Sequence, residues 1–139
     1  MRFPNKEQVE RIRKAYPPGA KVECVSMEDP FTSIPPGTTG EVIEVDDAGT
    51  IFVNWTNNPT LGVVYGVDSV RLLTKAEVIK NQCRQVASTG RTNMFAAGTV
   101  YEIALEMGFN ELAALIAADR KRYSAMVLTG ELDDSDLVD

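Results

Sequence analysis

Histidine is absent from this 139-residue chain. With it goes the side chain that most often serves as a general base near neutral pH, and the commonest metal ligand. Neither a Ser-His-Asp nor a Cys-His nucleophile can be assembled within one copy. Cysteine is scarce: Cys24 and Cys83 stand alone in apolar contexts, without Cys-x-x-Cys spacing or a disulfide framework, which points to a reducing compartment. A zinc site would have only those two thiols and carboxylates to draw on. No stretch approaches the roughly 18–20 apolar residues of a membrane span, and Met1-Arg2-Phe3-Pro4-Asn5 lacks the apolar run of a signal peptide. These absences lead us to expect a cytoplasmic, non-catalytic protein with no cofactor, metal or membrane partner.

What is present is ordinary for a folded body, 44% apolar and 24% charged. The net charge of −6 conceals a gradient. Residues 1–73 hold 7 Lys/Arg against 10 Asp/Glu, or −3; residues 74–129 hold 7 against 5, or +2; residues 130–139 hold none against 5, or −5. A double-stranded DNA binder needs a basic face, so this balance argues against nucleic acid.

Local signals place the elements. Asn5 and Gln8 have capping-box spacing, and Val9, Ile12 and Tyr16 follow at helical intervals until Pro17-Pro18-Gly19. Five β-rich runs come next, at 20–27, 39–46, 50–55, 61–66 and 69–73, each bounded by Pro, Gly, Asn or Asp. Pro-Pro-Gly before the first two suits a type II turn, and Asp46-Asp47-Ala48-Gly49 reads as a hairpin. Five short strands with one long loop, 28–38, after the first is the order of an SH3-like barrel. Beyond Leu73 the period turns helical. A capping box at Thr74–Glu77 opens one helix, a second begins near Asn93 or Met94 and ends at Gly108, and a third runs from Asn110 to Gly130. The expected fold is α+β: an N-terminal helix with a five-stranded barrel over residues 1–73, a three-helix module over 74–130, and an acidic flexible tail over 131–139. Both parts are small for a lone core, so they should dock on each other or form a homo-oligomer.

Particular blocks carry a resemblance. Pro35-Pro36-Gly37-Thr38-Thr39-Gly40, Val45-Asp46-Asp47-Ala48-Gly49-Thr50-Ile51, Val53-Asn54-Trp55 and Gly66-Val67-Asp68-Ser69 make the first half resemble a family of SH3-like domains of unassigned function found in bacteria and their prophages. The block from about Val78 to Gly130, centred on Thr89-Gly90-Arg91-Thr92-Asn93-Met94-Phe95, resembles a helical family of unassigned function that often accompanies it. The resemblance implies a phage or prophage accessory protein. It departs after the tryptophan, where Thr56-Asn57-Asn58-Pro59-Thr60 replaces the usual Asn-Gly turn.

Three constellations are candidates for a site. Ser88-Thr89-Gly90-Arg91-Thr92-Asn93 offers hydroxyls, a guanidinium and N–H groups at a helix start, a set that suits a phosphate; helix capping by Gly90, Thr92 or Asn93 and an ion pair at Arg91 explain the same residue types. The aromatics Phe31, Phe52, Trp55 and Tyr65 suit a groove for an extended peptide, although Trp55 alternates in step with Ile51 and Val53, as a core residue does. The carboxylates Glu28-Asp29 and Asp46-Asp47 sit in turns, where Asp is common for backbone reasons, and Glu41, Glu44 and Asp68 have no nucleophile beside them in sequence. From this inventory the expected ligand-binding residues are Thr89, Gly90, Arg91, Thr92, Asn93, Phe31 and Tyr65. The leading expectation is protein–protein binding to a host or phage partner. The alternatives are a sponge that sequesters a small anionic nucleotide used as an immune signal in antiphage defence, and a nucleic-acid-associated regulator.

Overall fold

Asn5 and Gln8 start the first helix by reciprocal capping: the Asn5 side chain accepts the Gln8 N–H and the Gln8 side chain accepts the Asn5 N–H, both at 2.8 Å. In the computed structural model, which describes residues 3–28 and 34–137, this helix is α1 (Lys6–Ala15). It is tied to the strands through Arg13, which donates to Glu10 at 2.8 Å, to Asp47 at 2.7 Å and to the Val45 carbonyl at 3.3 Å.

Strands β1 (Lys21–Ser26), β2 (Thr39–Val45), β3 (Ile51–Trp55), β4 (Thr60–Val63) and β5 (Ser69–Leu72) form one antiparallel sheet in the order β4-β3-β2-β1-β5. The turns follow their residues: Gly19 and Gly37 adopt φ of 90° and 91° after Pro-Pro, and the following Ala20 and Thr38 donate back to Pro17 and Pro35, as a type II turn requires. Along β3 the alternation is strict, with Ile51, Val53 and Trp55 buried. Along β2 it is interrupted. Val42 pairs with Val53 and Glu44 with Phe52, so Ile43 is the extra residue of a bulge. The bulge leaves Glu44 in solvent and returns Val45 toward the core. Val22, Cys24, Ile34, Val42, Val53 and Trp55, each 2% exposed or less, are the centre of this core, and Ile12 and Tyr16 pack on it from the side of α1.

After Leu73 begins the second compact unit, with its own core. It contains α2 (Lys75–Ser88), α3 (Ala97–Glu106), α4 (Asn110–Ala118) and α5 (Arg120–Thr129). The capping box at Thr74 forms with Glu77. Among the described residues four α-helices stand where three were expected, because the run from Asn110 to Gly130 breaks at Asp119. That residue is extended, φ −154° and ψ 85°, and its carboxylate accepts the Arg122 N–H at 3.0 Å, capping a new helix. The second helix begins later than expected, since the Asn93 side chain accepts the Phe95 N–H and holds a turn there.

The acidic end also departs from expectation. Read as a flexible tail, residues 131–137 instead lie on the helical unit. Leu132 is buried in the helical core and Leu137 packs against it. Asp134 accepts the Ala76 N–H at 2.9 Å, and Asp136 pairs with Arg122 at 3.1 Å. The physical reason is that α2, like any helix, leaves its first N–H groups without internal partners and carries partial positive charge at that end. A carboxylate placed there is stabilised, whatever the local composition suggests.

Candidate functional site

The loop Thr89–Asn93 connects α2 to α3 and is held largely by its own polar groups. The Thr89 hydroxyl donates to the Val86 carbonyl at 2.6 Å and accepts the Arg91 N–H at 3.2 Å. Gly90 takes φ 65°, the left-handed conformation that ends a helix cheaply in glycine. The Thr92 hydroxyl points to the Asn93 carbonyl at 3.4 Å. Arg91 pairs with Glu106 across the loop at 3.1 Å, with both side chains about half exposed. The N–H groups of α3 start at Ala97, four positions beyond Asn93, so the loop and that helix end do not coincide.

The five loop residues are thus brought together, whereas Tyr65 belongs to the other compact unit, half-buried in the turn after β4. Phe31 lies outside the described residues. Trp55 is a core residue, 1% exposed, its indole N–H donating to the Leu61 carbonyl at 3.3 Å. Several of the carboxylates have structural partners: Asp68 accepts the N–H groups of Glu28 and Val64, Asp46 accepts those of Ala48 and Thr50, Asp47 pairs with Arg13 and Glu41 with Lys21, while Asp29 lies outside the described residues. Neither thiol is activated. Burial pushes both Cys24 and Cys83 above the ordinary thiol range, and the Cys24 thiol faces the Ile34 carbonyl at 3.6 Å.

Beside the loop lies a cleft of about 220 Å³ between α2 and α5. Its α2 wall is Lys80, Cys83, Arg84 and Ala87, spaced i, i+3, i+4 and i+7 and therefore on one helix face. Met94, from the loop, and Met126 and Val127, from α5, form the rest of the apolar lining. The Tyr123 hydroxyl donates to the Met94 carbonyl at 2.6 Å and fixes the loop against α5. Burial raises the Tyr123 phenol well above its usual range. A larger hollow of about 830 Å³ lies between α2, α5 and the C-terminal segment, lined by the carboxylates of Glu77, Glu131, Asp133, Asp134 and Asp136 and by Lys80 and Arg122.

The cleft residues were missed in sequence because Lys80, Cys83, Arg84 and Ala87 form a mixed polar and apolar face of α2 that matches no motif, and Met126 and Val127 lie more than 35 positions away. Only the meeting of α2 with α5 makes that face a cleft. Gln82 was also missed: buried at 6% exposure, it accepts the Leu112 N–H at 3.0 Å and donates to Glu111 at 2.9 Å, capping α4 from α2. No motif announces a cap supplied from another helix.

No helix among the described residues is long and apolar enough to cross a membrane. No curated protein matches the chain. Residues 5–73 match a family model described as Domain of unknown function (DUF4314), and residues 75–131 match a second, Domain of unknown function (DUF5049), so the chain is similar to one such family in each of its two compact units.

Proposed function

We propose that this is a non-catalytic, cytoplasmic accessory protein of phage or prophage origin, an SH3-like barrel joined to a helical module, that acts by binding a host or phage protein and assembles as a homo-oligomer. Support for the SH3-like assignment is the strand order, with β1 between β2 and β5. The observation that carries the binding reading is Phe95. This large aromatic side chain is 54% exposed in a loop whose polar groups are used for internal capping. An aromatic displayed on a braced loop loses little conformational freedom when a partner covers it. The test is to install a photo-crosslinking benzoylphenylalanine in place of Phe95 and irradiate in bacterial lysates with and without phage infection. Capture of a protein that excess unlabelled wild type displaces and that a Phe95→Ser competitor does not is the expected result. Crosslinking to no protein in any lysate refutes the reading.

A second reading, sequestration of an anionic nucleotide immune signal, draws on the half-exposed Arg91 guanidinium and on the Lys80 and Arg84 side chains of the nearby cleft. Calorimetry with cyclic and ADP-ribose-type nucleotides tests it, and an Arg91→Ala variant that binds as tightly as wild type removes the loop from that role. The nucleic-acid regulator is the third reading, opposed by the net charge of −6. Tight DNA binding that falls steeply with salt would restore it.

A further inference from the structure

We infer that the α2–α5 cleft is a docking pocket for an acidic segment of a partner polypeptide, one apolar anchor side chain flanked by carboxylates. The inference rests on the protein-binding reading above and names the chemistry of the partner. Three observations carry it. The volume, about 220 Å³, is below the roughly 300–1,000 Å³ of pockets that enclose small molecules, and suits a single inserted side chain. The floor is Cys83, Met94 and Met126, soft side chains that adjust to the shape of an anchor. The charge inside the cleft is cationic: among the described residues Lys80 and Arg84 line it and no carboxylate does, Lys80 being shared with the carboxylate-lined hollow on its other side. A cationic rim around an apolar floor attracts and orients a segment with the opposite pattern, and repels a basic one.

The Arg84 guanidinium is already directed by Asn81, whose side-chain oxygen accepts from it at 2.7 Å. Tyr123 holds Met94 in place through its carbonyl. The pocket wall is therefore braced from both sides before anything binds.

Methionine-methyl NMR on the full chain tests this directly, because Met94 and Met126 line the cleft while Met27 lies in the other unit and serves as a control. The probe is the peptide acetyl-Glu-Asp-Trp-Glu-Asp-amide, compared with its Lys/Arg counterpart and with a version carrying Ala for Trp. The acidic Trp peptide should shift the Met94 and Met126 methyls and leave Met27 unmoved. K80E/R84E should weaken binding at least tenfold, and the milder K80Q/R84Q should weaken it by less, with dispersed methyl signals showing that both variants are folded. Equal shifts from the basic peptide, no shift at the cleft, or indifference to charge reversal would overturn the assignment. So would self-association that K80E/R84E abolishes, since the occupant would then be a second copy. A failed peptide titration beside a successful crosslink at position 95 would sink the cleft alone and leave the protein-binding reading standing.

Discussion

Replacing Leu132 with alanine should destabilise the helical unit substantially, although the residue lies in a segment that composition marks as solvated. Leu132 is 8% exposed and belongs to the same core cluster as Ala76, Ile79 and Met126. Removing a buried leucine to alanine costs about 2–5 kcal/mol, from lost transfer free energy and the cavity left behind. Leu132 keeps 8% of its surface exposed and so lies at the margin of the core, and the low end, about 2–3 kcal/mol, is expected here. In a unit of this size each kcal/mol lowers the melting temperature by about 4–8 °C, for a fall of about 8–24 °C. Ellipticity at 222 nm follows the helices, while Trp55, the single tryptophan and a core residue of the β unit, reports separately by fluorescence. A companion Asp134→Ala removes the acceptor for the Ala76 N–H and should cost about 1 kcal/mol, as loss of a helix cap does. A melting temperature within about 2 °C of wild type for Leu132→Ala would refute the docking of this segment.

Gln82→Ala leaves the buried Leu112 N–H without an acceptor and should cost about 1–3 kcal/mol, measured by urea unfolding; a change under 0.5 kcal/mol would mean water replaces the cap. Gly40→Ala puts a methyl 2.5 Å from Val53 Cγ1 and 2.9 Å from the Trp55 ring, and should lower the stability of the β unit by about 1–3 kcal/mol with a shifted Trp55 emission; an unshifted, fully stable variant would show that the sheet yields there. Arg91→Ala removes only a half-exposed ion pair and should change stability by less than about 1 kcal/mol in thermal melts. Above pH 10 the unfolded chain releases the Tyr123 proton that burial retains in the folded one. Stability should therefore fall as pH rises past 10, by up to about 1.4 kcal/mol per pH unit. Tyr123→Phe should show a shallower decline, and identical slopes in the two proteins would remove this phenol as the cause.

The features legible in the chain are those that residues within a few positions of one another decide. Asn5 with Gln8 and Thr74 with Glu77 cap their own helices, Pro-Pro-Gly turns at Gly19 and Gly37, and the alternation of Ile51, Val53 and Trp55 declares which side of β3 is buried. In each case the competing states are local, so residue type and spacing suffice. The α+β class follows from the change of period at Leu73. The bulge at Ile43 was not legible, because it depends on how β2 meets β3, and the break at Asp119 carried no Gly or Pro to mark it. Gln82 on α4, Asp134 on α2 and the pairing of Arg91 with Glu106 join groups that spacing does not relate. The cleft exists only because Cys83 and Ala87 on one helix face Met126 and Val127 on another. Tertiary structure decided these points because a helix end or an apolar stripe specifies the chemistry of the partner it requires, and the folded path of the chain determines which residue arrives to meet it.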